Sequence, residues 1–172
     1  MKFMMVTGTG RQGGKRARLN PFVAGAALAL ALSGCSFDLT PTATDEIKAV
    51  STSEAAAAAS LISAYRVAHG LPAVTVDGRL NDAAEFQARA VAQAGKLSHG
   101  NFTSRMGQFG IRGAAAENLT AGPTNIADAV ARWKASPGHN ENLLMPEARR
   151  IGLARADTAG RYGRYWALVL GQ

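Results

Sequence analysis

The chain of 172 residues has one cysteine, Cys35, and only 6% aromatic residues. A single cysteine excludes an internal disulfide framework and a cysteine-rich zinc module. The scarcity of aromatics argues against a surface on which bases stack. Acids are missing from one region altogether: residues 1–34 contain Lys2, Arg11, Lys15, Arg16 and Arg18 and no Asp or Glu. Most of the formal net charge of +7 therefore belongs to this stretch, and the rest of the chain carries 14 bases against 12 acids. With those five charges set aside, nothing in the composition calls for nucleic acid as a partner. No H-E-x-x-H helix, G-x-S-x-G elbow or internal repeat is present, and Gly8, Gly10, Gly13 and Gly14 follow no strand, so they form no phosphate-binding loop.

What is present begins with an apolar run over residues 22–32, followed by Ser33, Gly34 and Cys35. Eleven residues fall short of the roughly 20 needed to cross a bilayer core. After a basic stretch they suit the hydrophobic region of an export signal. Residues 32–35 (Leu-Ser-Gly-Cys) resemble the bacterial lipobox, in which the cysteine is acylated and becomes the first mature residue. The expectation is a lipoprotein signal peptide at residues 1–34. Cys35 is then the lipid attachment that holds the protein on a membrane, because two acyl chains suffice for stable anchoring. Ser36, rather than Asp, at the second mature position points to the outer membrane, facing the periplasm, in a host with two membranes.

Residues 35–52 are polar and lack sustained periodicity, which predicts a lipidated cysteine on a flexible tether. One domain is expected over residues 53–172. An alanine-rich helix capped by Ser53 ends at Gly70, Leu71 and Pro72. A second spans residues 80–96, with Leu80, Ala84, Ala88 and Val91 on one face. A short helix at residues 104–109 and an extended segment at 114–121 follow. A helix at residues 125–135, with Asp128 and Arg132 spaced to pair, stops at Ser136, Pro137 and Gly138. Two strands, residues 150–155 and 162–170, form a closing hairpin. In the last strand both alternating sets, Tyr165, Ala167, Val169 and Trp166, Leu168, Leu170, are apolar, so the sheet must be covered on both faces. The predicted class is α+β, a small and mainly antiparallel sheet between helical layers.

Candidate chemistry lies in three segments. His99 and His139 follow helices, in loops where functional side chains are often displayed. Glu117 is an acid in an apolar segment, which must be paired or functional. His69 reads as a helix C-terminal residue favoured by the macrodipole. Trp133 and Trp166 read as core or cleft wall, and Arg149 and Arg150 as a solvated edge.

The ordered set Ala64-Tyr65-Arg66, Gly70-Leu71-Pro72, Ser98-His99, Glu117-Asn118-Leu119, Trp133, Ser136-Pro137-Gly138-His139, Asn142-Leu143-Leu144, Ile151-Gly152-Leu153 and Tyr165-Trp166 resembles the CAP superfamily, also called the SCP domain, in its bacterial branch. The resemblance covers residues 57–172 and implies a three-layer α-β-α sandwich. It implies a cleft lined by His99, Glu117 and His139, supported by Asn118 and Trp133. Ala116 stands where the family's Gly-Glu-Asn motif has glycine, and a second family glutamate, expected near Ser136, is missing. Two imidazoles and a carboxylate form a legitimate zinc ligand set with an open position; alternatively they hydrogen-bond one another and fix the surrounding loops. The favoured expectation is a lipid-anchored, non-catalytic cell-envelope module whose cleft binds a small or lipidic ligand, a peptidoglycan-associated component or another protein. The alternative is a metal-dependent hydrolase or peptidase using the same three residues.

Overall fold

The computed structural model describes residues 46–172. The signal segment and Cys35 lie outside the described residues. The elements run β1 (Ile47–Ser51), α1 (Ala55–Ala68), β2 (Thr75–Val76), α2 (Gly78–Gln93), α3 (Phe102–Gln108), β3 (Ala115–Ala121), α4 (Ile126–Ala135), α5 (Pro137–Leu143), β4 (Arg150–Thr158) and β5 (Arg164–Gly171). The sheet order is β1-β4-β5-β3, antiparallel throughout that path, with β2 added in parallel to the start of β4. Among the described residues no helix is long and apolar enough to cross a membrane.

The alternation in β5 sorts the two cores as its sequence requires. Trp166, Leu168 and Leu170 face α1 and α4, where they pack with Ile62, Val130, Trp133, Ile151 and Leu153. Tyr165, Ala167 and Val169 face α2 and pack with Leu80, Ala83, Ala84, Ala88 and Val91. All six β5 side chains are fully buried. The result is the three-layer sandwich, with helices covering both faces of the sheet.

Small residues set how closely α2 approaches the sheet. Ala83, Ala84 and Ala88 meet Ala154, Ala156 and Ala167. At Gly152 the approach is backbone on backbone: a Cβ there would lie 1.9 Å from the Leu80 carbonyl carbon. Asn81 locks the same contact by accepting the Leu153 N–H at 2.9 Å. On the opposite face, the fully buried Arg66 of α1 donates to the carbonyls of Pro72, Leu143, Met145 and Ala148 at 2.8–3.0 Å. Those bonds satisfy the desolvated guanidinium and tie the link between α5 and β4 to α1.

Several local expectations are corrected. Ile47–Ser51 is a strand paired with residues 155–158 of β4, so the polar tether expected through Thr52 gives way to sheet at Ile47. The N-cap of α1 is Glu54, not Ser53, and makes no side-chain cap bond. Asp77 caps α2 instead, accepting from the backbone of Arg79 and Leu80. The short helix α3 starts two residues earlier than expected, capped by Asn101. Pro137 does not end helical structure: it occupies the first turn of α5, where a missing N–H costs nothing, so His139 lies on a helix rather than in a loop. Arg132 does not pair with Asp128; its Nη1 donates to the Ala121 carbonyl at 2.9 Å, while Asp128 is bound by Asn125.

Because the α2–β4 contact has no room for a methyl group, Gly152→Ala is expected to destabilise the domain by about 3 kcal/mol or more. Urea unfolding checks this; a loss below about 1 kcal/mol would show that α2 can move away from the sheet.

Candidate functional site

Strand β3 is the edge of the sheet, and two adjacent residues on it fasten opposite layers. Glu117 faces the α2 side and Asn118 faces the α4 side, as the period of two requires. The Glu117 side chain is 2% exposed. Its Oε1 lies 2.8 Å from His99 Nδ1, and its Oε2 accepts from Arg105 Nη2 of α3. Arg105 is itself buried, and its Nη1 donates to Gln87 Oε1 and, at 3.1 Å, to the His99 carbonyl. Gln87 in turn donates to the Ser98 carbonyl. Gln87, Arg105 and Glu117 thus hold the loop that carries His99 at both backbone and ring.

Asn118 performs the matching task on the other side. Its Nδ2 donates to the His139 carbonyl at 2.9 Å, and its Oδ1 accepts from Asn142 Nδ2 at 2.9 Å. The same Asn142 nitrogen lies 3.2 Å from the Glu117 carbonyl. Tyr65 of α1 donates to Asn140 Oδ1 at 2.7 Å, which fixes α5 from a third direction. His99 and His139 therefore come from opposite layers to the same edge of the sheet.

The protonation states follow from these surroundings. Burial pushes the Glu117 carboxyl up from its ordinary value, against the hydrogen bond from His99 and the charge of Arg105, which pull it down. Burial, and secondarily the charge of His99, holds His139 below its ordinary value, so the neutral imidazole is favoured there. His99 is exposed at 55% of its side chain, and the bond from Nδ1 to Glu117 leaves Nε2 as the ring atom a ligand would meet.

The expected zinc site does not have the donors it needs in this arrangement. Both carboxylate oxygens of Glu117 are engaged, one by a guanidinium whose positive charge opposes a second cation beside it. Among the described residues no group of three or more His, Cys, Asp or Glu side chains is placed to hold a metal ion. The three residues do not fit a three-ligand zinc centre as they stand.

Asn118, on β3 next to Glu117, reaches the His139 segment through its side-chain bonds to the His139 carbonyl and Asn142. Trp133 is fully buried in the core on the α4 side with Trp166, where it packs α4 onto the sheet. His69 is the C-cap of α1, with Nδ1 2.8 Å from the Tyr65 carbonyl. Arg150 is not merely solvated: it bonds Asp77 at 3.0 Å and the Gln172 backbone oxygen. Arg105, Gln87, Asn142 and the Tyr65 hydroxyl are the site residues that sequence reasoning missed. A signal existed for Gln87, a polar residue on the buried face of α2 between Ala84 and Val91.

The fold is shared with known proteins. Among solved structures, the fold is similar to an outer surface protein from Borrelia burgdorferi (TM-score 0.64, 20% identity, 74% of this chain and 98% of that one). It is also similar to an extracellular protein containing a SCP domain from Bacillus anthracis (TM-score 0.59, 22% identity, 67% of this chain and 39% of that one). A cysteine-rich secretory protein from Staphylococcus aureus gives a TM-score of 0.54 at 14% identity over 67% of this chain and 37% of that one. The match thus spans well under half of the Bacillus and Staphylococcus chains. No curated protein sequence matches the chain. The model of the cysteine-rich secretory protein family, CAP, matches residues 59–170, about two thirds of the chain, and with the sandwich and the paired histidine segments described above it places the chain in that family. The protein is a CAP-family protein of bacterial type.

Proposed function

We propose that this protein is an exported, lipid-anchored component of the cell envelope whose His99–Glu117–His139 cleft binds a ligand or partner without chemically altering it. The observation that carries the binding reading is the burial of Glu117, whose side chain is 2% exposed. A general base must come within hydrogen-bond reach of the proton it takes, whereas this carboxylate is covered and held between Arg105 and His99. The groups left for a ligand are His99 Nε2 and the half-buried His139 ring, which suit hydrogen bonding to a polar ligand. The anchor reading rests on the basic stretch, the apolar run and Cys35, with Ser36 favouring an outer membrane facing the periplasm. Export is consistent with the outer-surface and extracellular relatives named above.

The metal-dependent hydrolase is the second reading, favoured by one observation: His139 is held toward the neutral form, which is the form that binds a metal ion or accepts a proton. The two readings separate in one experiment on the mature chain from Cys35 onward, incubated with a peptide library with and without added zinc. No peptide is expected to be cleaved under either condition. Zinc-dependent cleavage abolished by His99→Ala, His139→Ala and Glu117→Gln alike would replace binding with hydrolysis.

The anchor is tested by the mass and location of the protein in a bacterial host. Cys35 is expected at the mature N-terminus with a lipid attached, and Cys35→Ala is expected to release the protein from membranes. A membrane-free wild type carrying its intact leader would contradict this.

A histidine titration by NMR tests the electrostatics. His139 is expected to titrate below its ordinary value of 6.5, and His99→Ala is expected to raise it by removing the neighbouring charge. The folded value lies below the unfolded one, so the unfolded chain takes up more protons and stability falls as pH drops from about 6.5 through the depressed value. Glu117 acts in the opposite sense: its folded value is raised, so its contribution is present below about 4.5 and is lost as pH rises through the folded value. A His139 value unaffected by His99→Ala would show that the two rings do not share a cleft.

A further inference from the structure

A cavity of about 390 Å³ lies apart from the histidine segments, with none of His99, Glu117 or His139 in its lining. Its walls come from four places: Asp77, Arg79 and Leu80 at the start of α2, the segment of Gly110, Ile111 and Arg112 after α3, Arg150 at the start of β4, and the chain end at Gly171 and Gln172. Gly110 makes the turn that brings Ile111 and Arg112 to this wall, at φ +67°, a conformation that L side chains rarely adopt. The volume is within the range of small-molecule pockets.

The charges in the cavity are unequally committed. Asp77 accepts from two backbone N–H groups and from Arg150, which hold its carboxylate in place and balance its charge. Arg150 spends its remaining nitrogens on the Gln172 backbone oxygen. Among the described residues, the guanidiniums of Arg79 and Arg112 make no ion pair or hydrogen bond, and both residues are exposed. Between the charges lie two apolar side chains, the buried Leu80 and the half-buried Ile111.

Two uncommitted guanidiniums from separate elements supply two positive charges and two planar forks. A carboxylate is satisfied by one fork, whereas a phosphate monoester carries close to two negative charges and three terminal oxygens, enough for both. Leu80 and Ile111 give an attached hydrocarbon a surface to cover. We propose that this cavity binds an organic phosphate monoester, its phosphate between Arg79 and Arg112 and its apolar arm against Leu80 and Ile111. The site is independent of the reading of the histidine cleft.

Calorimetry with the mature chain tests it, using hexyl phosphate, inorganic phosphate and hexanol as probes. Hexyl phosphate is expected to bind, inorganic phosphate to bind about tenfold or more weakly, and hexanol not to bind. The double variant Arg79→Gln/Arg112→Gln is expected to weaken hexyl phosphate at least about tenfold with an unchanged melting temperature, since both side chains are exposed and unpaired among the described residues. Arg89→Gln, which removes a positive charge from α2 outside the cavity, is expected to leave binding unchanged. Ile111→Ser is expected to weaken hexyl phosphate and not inorganic phosphate. Capture of vesicles containing phosphatidic acid, lost in the double variant, identifies a lipid headgroup as the source; binding of the soluble ester alone identifies a free phosphate. Failure of hexyl phosphate to bind, or equal binding by wild type and the double variant, would overturn the proposal.

Discussion

The buried contact between Arg105 and Glu117 is the interaction on which the site depends. Removing a guanidinium and a carboxylate from water costs several kcal/mol per ion, and their mutual attraction offsets this only when the remaining hydrogen-bonding capacity is also used. Here it largely is: Glu117 also meets His99, and Arg105 also meets Gln87 and the His99 carbonyl. The gain lies in position more than in stability. One carboxylate on the edge strand fixes a helix, a loop and a ring at once, and the next residue, Asn118, fixes α5 on the far side.

That edge is rigid because the sheet behind it is packed on both faces. Alanines and Gly152 let α2 lie close on one side, and the two buried tryptophans fill the other. Arg66 extends the same logic to α5, with one buried cation meeting four carbonyls, those of Pro72, Leu143, Met145 and Ala148. Buried arginines on both sides of the sheet hold the segments that carry the two histidines. Two further arginines, Arg79 and Arg112, have no such partners among the described residues and face a separate cavity.

The parts of this arrangement visible in the sequence are those governed by short-range patterns. The doubly apolar β5 implied a covered sheet, and the acid in apolar β3 marked Glu117, since burial of a carboxylate demands a partner. The identity of that partner was not legible, because Arg105 sits in a seven-residue helix too short to show a periodic face. Pro137 misled because proline both ends helices and begins them; only the chain that follows decides between the two. The strand β1 was hidden by its exposure: Lys48 and Ala49 face solvent at an edge, so its five residues show no clean alternation. The capping of α1 by Glu54 rather than Ser53 is a difference of one residue that tertiary packing decides.

If the pair between α3 and β3 organises the site, its two members must depend on each other energetically. A double-mutant cycle of Arg105→Gln and Glu117→Gln, followed by urea unfolding at neutral pH, measures that dependence directly. Each single change leaves an uncompensated buried charge, so each is expected to cost about 3 kcal/mol or more, with the double variant recovering about 2 kcal/mol relative to the sum. Additive losses would contradict the account, since they would mean that Arg105 and Glu117 are buried side by side without holding one another.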